Sequence, residues 1–153
     1  MTNPRPARPE DAAALRDLVR AAYAPWVAII GREPAPMADD YVARIGSGQA
    51  WLVEEDGVLQ AALILEDTPT GLLIDNVAVA QGAQGKGLGR ALLAFAEAEA
   101  RRRGQGRVWL YTHEKMERNL ALYLRLGFIE TGREEQAGFL RVFMEKRLDR
   151  RGG

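Results

Sequence analysis

The sequence predicts an α+β fold, in which a mostly antiparallel sheet with one parallel pair of strands is flanked by about four helices. Three observations carry this prediction. Short apolar runs separated by turn residues recur from residue 49 onward, as in strands. A nearly continuous apolar strand over 72–80 leads through a glycine-rich stretch into an amphipathic run over 88–103. A strand-like run over 107–112 follows, and such a crossover makes its two strands parallel and right-handed.

The N-terminal third is predicted to be extended first and then helical. Residues 4–8 favour an extended start, and Pro9-Glu10-Asp11 places a proline and two acids in the first turn of a helix over about 10–23. The prolines and glycine within 25–36 are predicted to break the chain before a second short helix over 37–45. This apolar, proline-punctuated stretch is either a lid on the acceptor side or hydrophobic packing over the sheet.

The middle of the chain is predicted to be a run of strands. Residues 50–54 and 58–66 flank Asp56-Gly57, a dipeptide typical of a tight hairpin. The apolar strand over 72–80 suits the centre of a sheet.

The C-terminal part is predicted to close the sheet. A short helix over 116–126 stops at Gly127, and runs over 128–133 and 139–145 form a hairpin through Gly138. We expect a single domain over residues 1–149 and a disordered tail over 150–153.

Composition excludes several classes of function. Lys plus Arg equals Asp plus Glu at 21 each, so no global field favours nucleic acid or an anionic membrane as a partner. The chain has no cysteine and one histidine, which excludes disulfides and thiolate metal sites and disfavours an all-protein metal site or a Ser-His-Asp triad. No apolar run approaches the ~20 residues of a membrane span, so we expect a cytoplasmic protein without a metal.

The glycine-rich stretch has the chemistry of a phosphate site. A strand ends, glycines open backbone conformations closed to other residues, and a helix begins at about Leu88, where free N–H groups and the helix dipole attract an anion. A Walker A loop needs Ser or Thr after Gly-Lys, but Gly87 follows Lys86. The spacing of Gly85, Gly87 and Gly89 also differs from the dinucleotide fingerprint. A tight turn without a ligand is the structural alternative.

Here the chain resembles the GNAT superfamily of N-acetyltransferases. Gln84, Gly87 and Gly89 match its signature Gln/Arg-x-x-Gly-x-Gly/Ala, and Tyr123 to Phe128 resembles its C-terminal Tyr-x-x-x-Gly-Phe. The resemblance implies a GNAT-type acyl-CoA N-acyltransferase fold, with the parallel pair splaying around the cofactor. It implies acetyl-CoA as co-substrate, no metal, and transfer of the acetyl group to a primary amine of a small molecule or peptide. A homodimer is among the assemblies that it implies.

The resemblance also assigns a cofactor site. The loop amides would hold the pyrophosphate and the preceding strand would pair with the pantetheine arm, through Val77, Ala78, Val79, Gln84, Gly85, Lys86, Gly87, Leu88, Gly89 and Arg90. Lys86 and Arg90 either add charge to this site or are ordinary exposed residues. The family's usual asparagine seven residues before the tyrosine is replaced by Met116. Asn119 is therefore a cofactor-side candidate, or merely a residue that caps the helix.

The resemblance assigns Tyr123 as the general acid that protonates the leaving thiolate, with a packing role as the alternative. It also implies that the N–H of Val79 polarises the thioester carbonyl. Three residues are candidates for the general base, namely Asp75, which is in phase with Val77 and Val79, and His113 and Glu114 at the end of the next strand; solvent is the fourth possibility. A CoA-binding sensor or regulatory module without turnover is the alternative function.

Overall fold

The computed structural model describes residues 3–148, so the predicted tail at 150–153 lies outside the described residues. Contacts divide the chain into two compact units. The first comprises the residues up to Leu65 together with Asn76–Phe95, and the second comprises Glu66–Asp75 together with the residues from Ala96 onward. Two strands and one helix contribute residues to both units.

Seven strands and four α-helices are assigned within residues 3–148. In chain order they are β1 Arg5–Pro6, α1 Ala12–Ile30, α2 Tyr41–Gly46, β2 Ala50–Glu55, β3 Val58–Thr68, β4 Gly71–Val79, α3 Leu88–Arg102, β5 Arg107–His113, α4 Glu117–Arg125, β6 Ile129–Gln136 and β7 Phe139–Arg147. Short 3₁₀ turns cover Pro9–Asp11, Ala35–Ala38 and Gln81–Ala83. The strand order in the sheet is β1-β2-β3-β4-β5-β7-β6.

One parallel pair interrupts an otherwise antiparallel set of strand pairings, as the sequence predicts. β4 and β5 pair in parallel at Leu72↔Val108 and Leu73↔Trp109. At the start of this pair the backbones come very close, because a Cβ atom on Gly71 would lie 2.6 Å from the carbonyl oxygen of Arg107. Gly71 also has φ = +140°, so only glycine fits without strain.

Two tight hairpins set the register of their strands. Asp56 and Gly57 have φ angles of 53° and 79°, and Ala137 and Gly138 have 52° and 82°. Positive φ at both central residues gives a turn whose twist matches that of the flanking strands. Both predicted hairpins are confirmed.

The predicted break at Pro25 is wrong. The helix α1 runs through this proline to Ile30, and Gly31 ends it with φ = +93° and an N–H bond of 2.7 Å to the carbonyl of Val27. Proline removes a single backbone bond to Ala21, whereas the continued helix packs half-buried Val27 and buried Ile30. Packing therefore outweighs local propensity here.

The second helix is also shorter than predicted. α2 begins at Tyr41, because the Asp40 carboxylate accepts the N–H of Ala43 at 3.0 Å and fixes the start there. The preceding residues Ala35–Ala38 form a separate 3₁₀ turn after Pro34.

The core of the first unit lies between two helices and the strands. α1 contributes Leu15, Leu18 and Val19, α2 contributes Tyr41 and Ile45, and the strands contribute Ala50, Leu52, Ala62, Ile64 and Ala78. In the second unit, β5 alternates buried and half-buried residues along its length. Within residues 3–148, no helix is long and apolar enough to span a membrane.

Candidate active site

The glycine loop connects the end of β4 to α3. The 3₁₀ turn Gln81–Ala83 follows the strand, and Gly85 and Gly87 then have φ angles of +82° and +81°. These left-handed conformations let consecutive N–H groups turn toward the same side of the chain. The first bond into α3 runs from the N–H of Ala91 to the carbonyl of Gly87, at 3.0 Å.

The loop presents unpaired donors. Among the described residues, none of the six N–H groups from Gly85 to Arg90 donates to a protein acceptor. The start of an α-helix leaves such N–H groups without partners and adds the positive end of its dipole. Residues 84–87 are exposed, so an anion can reach the N–H groups from solvent.

The glycines leave open space over these donors. A Cβ atom built on Gly85, Gly87 or Gly89 would meet nothing within 4 Å. Gly89 has a helical φ angle, so the backbone conformation does not require glycine at this position. Neither backbone strain nor packing therefore requires glycine at this position.

Polar side chains surround this opening. Gln84 donates from Nε2 to the carbonyl of Val79, at a long 3.4 Å, and so bridges the ends of the loop. Lys86 and Arg90 are exposed and form no ion pair within the described chain. Two cations without carboxylate partners beside six free N–H groups give the loop a positive character that suits a pyrophosphate.

Tyr123 lies on α4, in the second unit, and its surroundings explain the Tyr-x-x-x-Gly-Phe pattern. Gly127 ends the helix with φ = +96°, and the N–H of Phe128 bonds back to the carbonyl of Tyr123 at 3.0 Å. This turn brings Phe128, which is 2% exposed, against the tyrosine ring, with 5.8 Å between ring centroids. Lys146 closes the helix end by donating to the carbonyl of Leu126 at 2.9 Å.

The Tyr123 hydroxyl itself makes no hydrogen bond among the described residues. Burial raises the pKa of this phenol to about 12. Tyr123 is therefore a neutral hydrogen-bond donor at any physiological pH, and its donor is unused.

The comparisons with known proteins decide the family. The sequence profile described as "Acetyltransferase (GNAT) family" matches residues 13–128, which is most of the chain. The chain belongs to the GNAT acetyltransferase family. The match includes the glycine loop, Tyr123 and Gly127-Phe128, so the fold and the family predicted from the sequence are confirmed.

Two solved GNAT structures share this fold. The PaiA N-acetyltransferase of Thermoplasma acidophilum, solved with coenzyme A, is 19% identical with a TM-score of 0.78, and the match covers 96% of this chain and 99% of that one. The ribosomal-protein-S18-alanine N-acetyltransferase of Escherichia coli is 21% identical with a TM-score of 0.75, covering 97% and 95% of the two chains.

A relative by sequence is the mycothiol acetyltransferase of Beutenbergia cavernae. It is 41% identical over 92 residues, which are 58% of this chain and 31% of that protein. This chain spans less than a third of the length of the curated relatives that it matches.

One departure from the GNAT pattern has a structural cause. Met116, which stands where the family usually has asparagine, is 4% exposed and accepts a bond from the Thr112 hydroxyl at its sulfur, at 3.6 Å. It is a core residue at the start of α4. Asn119 lies one turn before Tyr123 on the same helix and is half-buried. Its backbone N–H bonds to the carbonyl of Met116 at 3.1 Å.

The three candidate bases have different surroundings. His113 accepts the N–H of Lys115 at Nδ1, at 3.0 Å, so the lone pair of the neutral imidazole is already used. Burial, together with the charge of Lys115, lowers the pKa of His113, although Glu114 opposes this. Glu114 binds the Arg133 guanidinium at 2.6 Å and would have to release it to accept a proton elsewhere.

Asp75 is half-buried in β4, on the strand face that also carries Val77 and Val79, while Asn76 and Ala78 are buried on the other face. Within residues 3–148, no group of three or more His, Asp or Glu side chains is arranged to hold a metal ion.

The burial of the Asn76 amide was not predicted from the sequence. Asn76 is 4% exposed, and its amide bonds to two tyrosines of the first unit. A single amide within the apolar run of β4 was the available signal, because a buried amide needs partners.

Proposed function

We propose that the chain transfers the acetyl group of acetyl-CoA directly to a primary amine of a small molecule or peptide. The observation that carries the proposal is the row of six unpartnered N–H groups from Gly85 to Arg90, with open space above Gly89. Bound acetyl-CoA supplies the acetyl group as a reactive thioester. In this chain the residues assigned to hold it are those of the glycine loop, Val77 to Val79 and Asn119.

Tyr123 is assigned to the leaving sulfur. With a pKa of about 12, the phenol is a weaker acid than a thiol with a pKa of ~8.5. Full proton transfer to a free thiolate is therefore unfavourable, and we assign Tyr123 first as a hydrogen-bond donor to the negative charge that develops on the sulfur. Nearby positive charge, such as that which develops on the nitrogen once the neutral amine has attacked the thioester, lowers a phenol pKa and makes the transfer easier.

Asp75 is our choice for the proton acceptor. A protonated amine with a pKa of ~10 must lose a proton before it attacks. Asp75 lies on the strand face that also carries Val77 and Val79, two of the residues assigned to the pantetheine arm, and this supports the choice. We further assign the N–H of Val79, at the end of the same strand, to the thioester carbonyl.

The acceptor class needs a broad screen. One relative is named for mycothiol and one solved structure for an alanine of ribosomal protein S18, so these proteins differ in the size of what they act on. The amine library should therefore contain small amines, amino acids and peptide N-termini.

The test combines binding and turnover. We expect acetyl-CoA, but neither ATP nor NAD, to raise the melting temperature, and at least one amine to release free thiol from acetyl-CoA. Stabilisation by ATP alone would refute the cofactor assignment. Binding without turnover on any amine would favour a CoA sensor.

Tyr123→Phe tests the role of the hydroxyl. We expect kcat to fall by about 10²-fold or more, with the dissociation constant of acetyl-CoA changed less than about twofold. Tyr111→Phe is the matched control, since it removes the hydroxyl of another half-buried tyrosine in the same unit. An unchanged kcat in Tyr123→Phe would reject the assignment.

A further inference from the structure

Asn76 is the buried amide of the first unit, and it joins three segments that lie far apart in sequence. The Tyr23 hydroxyl, from α1, donates to Oδ1 of Asn76 at 2.8 Å. Nδ2 of Asn76 donates to the Tyr41 hydroxyl, at the start of α2, at 3.2 Å. The Tyr41 hydroxyl in turn donates to the carbonyl of Pro36 at 2.5 Å. The bonds form one chain with a single direction of donation, and such chains strengthen each bond cooperatively.

The chain of bonds ends in the connection between α1 and α2, residues 31–40. This connection has its own ties to the helices on either side of it. Arg20 donates to the carbonyl of Met37 at 2.7 Å, and Arg44 pairs with Asp39 at 2.9 Å. Of these ties, the bond through Tyr41 is the one that continues to β4, by way of Asn76.

The position of Asn76 on β4 gives these bonds their importance. Asn76 directly precedes Val77 to Val79, the residues assigned above to the pantetheine arm, and it lies on the opposite strand face from Asp75. Both of its partners belong to an apolar surrounding, because Tyr41 is a member of the buried core cluster and Tyr23 packs against that cluster. A buried amide in such a place costs free energy unless it is fully bonded, so a purely packing role would be served better by leucine.

We propose that Asn76 is a positioning residue that, through Tyr41, holds the connection 31–40 at a fixed place against β4 and so sets the affinity for the amine. The proposal rests on the proposed function, because an amine that receives the acetyl group must approach β4. The connection contains two prolines and four charged residues, and its bond through Tyr41 holds it beside Asn76, one residue before Val77. Its placement then decides the shape of the acceptor site.

Tyr41→Phe is the decisive variant, and Tyr23→Phe is its matched control. Each removes one hydroxyl that bonds to the same amide and keeps the ring in place. Only Tyr41→Phe cuts the tie to Pro36. We expect it to raise the KM of the amine about tenfold, with the KM of acetyl-CoA within twofold and kcat little changed. Tyr23→Phe should leave the KM of the amine within twofold.

Hydrogen exchange provides a readout that does not depend on turnover. We expect the amides of residues 31–40 to exchange about tenfold faster in Tyr41→Phe than in the wild type, and unchanged in Tyr23→Phe. The proposal is overturned if exchange in 31–40 is unchanged in Tyr41→Phe, if both variants raise the amine KM equally, or if the KM values of both substrates rise together. Absence of turnover by the wild type would instead refute the proposed function, and the exchange data would still decide whether Tyr41 holds the connection.

Discussion

Gly89→Leu separates folding from cofactor binding more cleanly than any other change in the glycine loop. Gly85 and Gly87 have positive φ angles, so a side chain at either position would add about 1–2 kcal/mol of backbone strain. Gly89 has a helical φ angle and open space around its Cβ position. Leucine is also a better helix former than glycine, so the free energy of unfolding should stay equal or rise by up to ~1 kcal/mol.

Binding should respond in the opposite direction. The family signature allows glycine or alanine at this position, but the larger leucine side chain should reach into the space in front of the free N–H groups and keep a phosphate oxygen from at least two of them. Hydrogen bonds to charged groups contribute about 1.5 kcal/mol or more each, so the loss is about 3 kcal/mol. The dissociation constant of acetyl-CoA should therefore rise roughly a hundredfold.

The assay is calorimetric titration of acetyl-CoA into each variant, with urea unfolding measured in parallel. Gly46→Leu is the matched control, because Gly46 also lies in a helix with nothing within 4 Å of its Cβ position. It should leave the dissociation constant unchanged. Unchanged acetyl-CoA binding in Gly89→Leu, or equal weakening in both variants, would refute the assignment of this loop to the cofactor.

Three further changes test the fold. Gly71→Ala should lower the free energy of unfolding by about 2–4 kcal/mol, because its Cβ would overlap the Arg107 carbonyl; a loss below 1 kcal/mol in urea titration would contradict the close approach. Trp51→Phe should cost about 1–2 kcal/mol less than Trp109→Phe, since the buried Trp51 indole N–H has no partner in the described chain whereas that of Trp109 is bonded; equal losses would count against this. The Arg107 guanidinium lowers the pKa of the Glu145 carboxyl. The ion pair therefore stabilises the fold at pH values above the ordinary carboxyl pKa, and this stabilisation is lost as the pH falls through the lowered pKa of Glu145. The stability gap between the wild type and Glu145→Gln should thus narrow between pH 6 and pH 3, and a constant gap would refute the ion pair.

The glycine loop could be predicted from the sequence because its shape depends on the conformation of the main chain. The positive φ angles of Gly85 and Gly87 and the small size of Gly89 are properties of glycine itself, so spacing alone indicates a backbone cradle. The Tyr123 pattern is equally local, since Gly127 turns the chain and returns Phe128 to the ring within five residues.

The parts that the sequence could not predict depend on partners distant in the chain. The helix continues past Pro25 because Ile30 is buried in the folded unit, which local proline chemistry does not report. Glu114 is bound by Arg133, nineteen residues later, and this ion pair could not be predicted from the local sequence. The role of Asn76 likewise depends on two hydroxyls more than thirty residues before it.

The alternation of β4 assigns two different tasks to adjacent residues, and this can be tested. Because Asp75 and Asn76 point to opposite faces of one strand, substitution of one residue should leave the role of the other unchanged. Asp75→Asn should lower kcat most at neutral pH, and the deficit should shrink as pH approaches the amine pKa of ~10, because solvent then supplies deprotonated amine. Hydrogen exchange in residues 31–40 should not change in this variant. Tyr41→Phe should behave in the opposite way, with faster exchange and a KM defect that does not depend on pH. A pH-independent defect in Asp75→Asn would mean that Asp75 does not accept the proton and that the amine reaches the site already neutral.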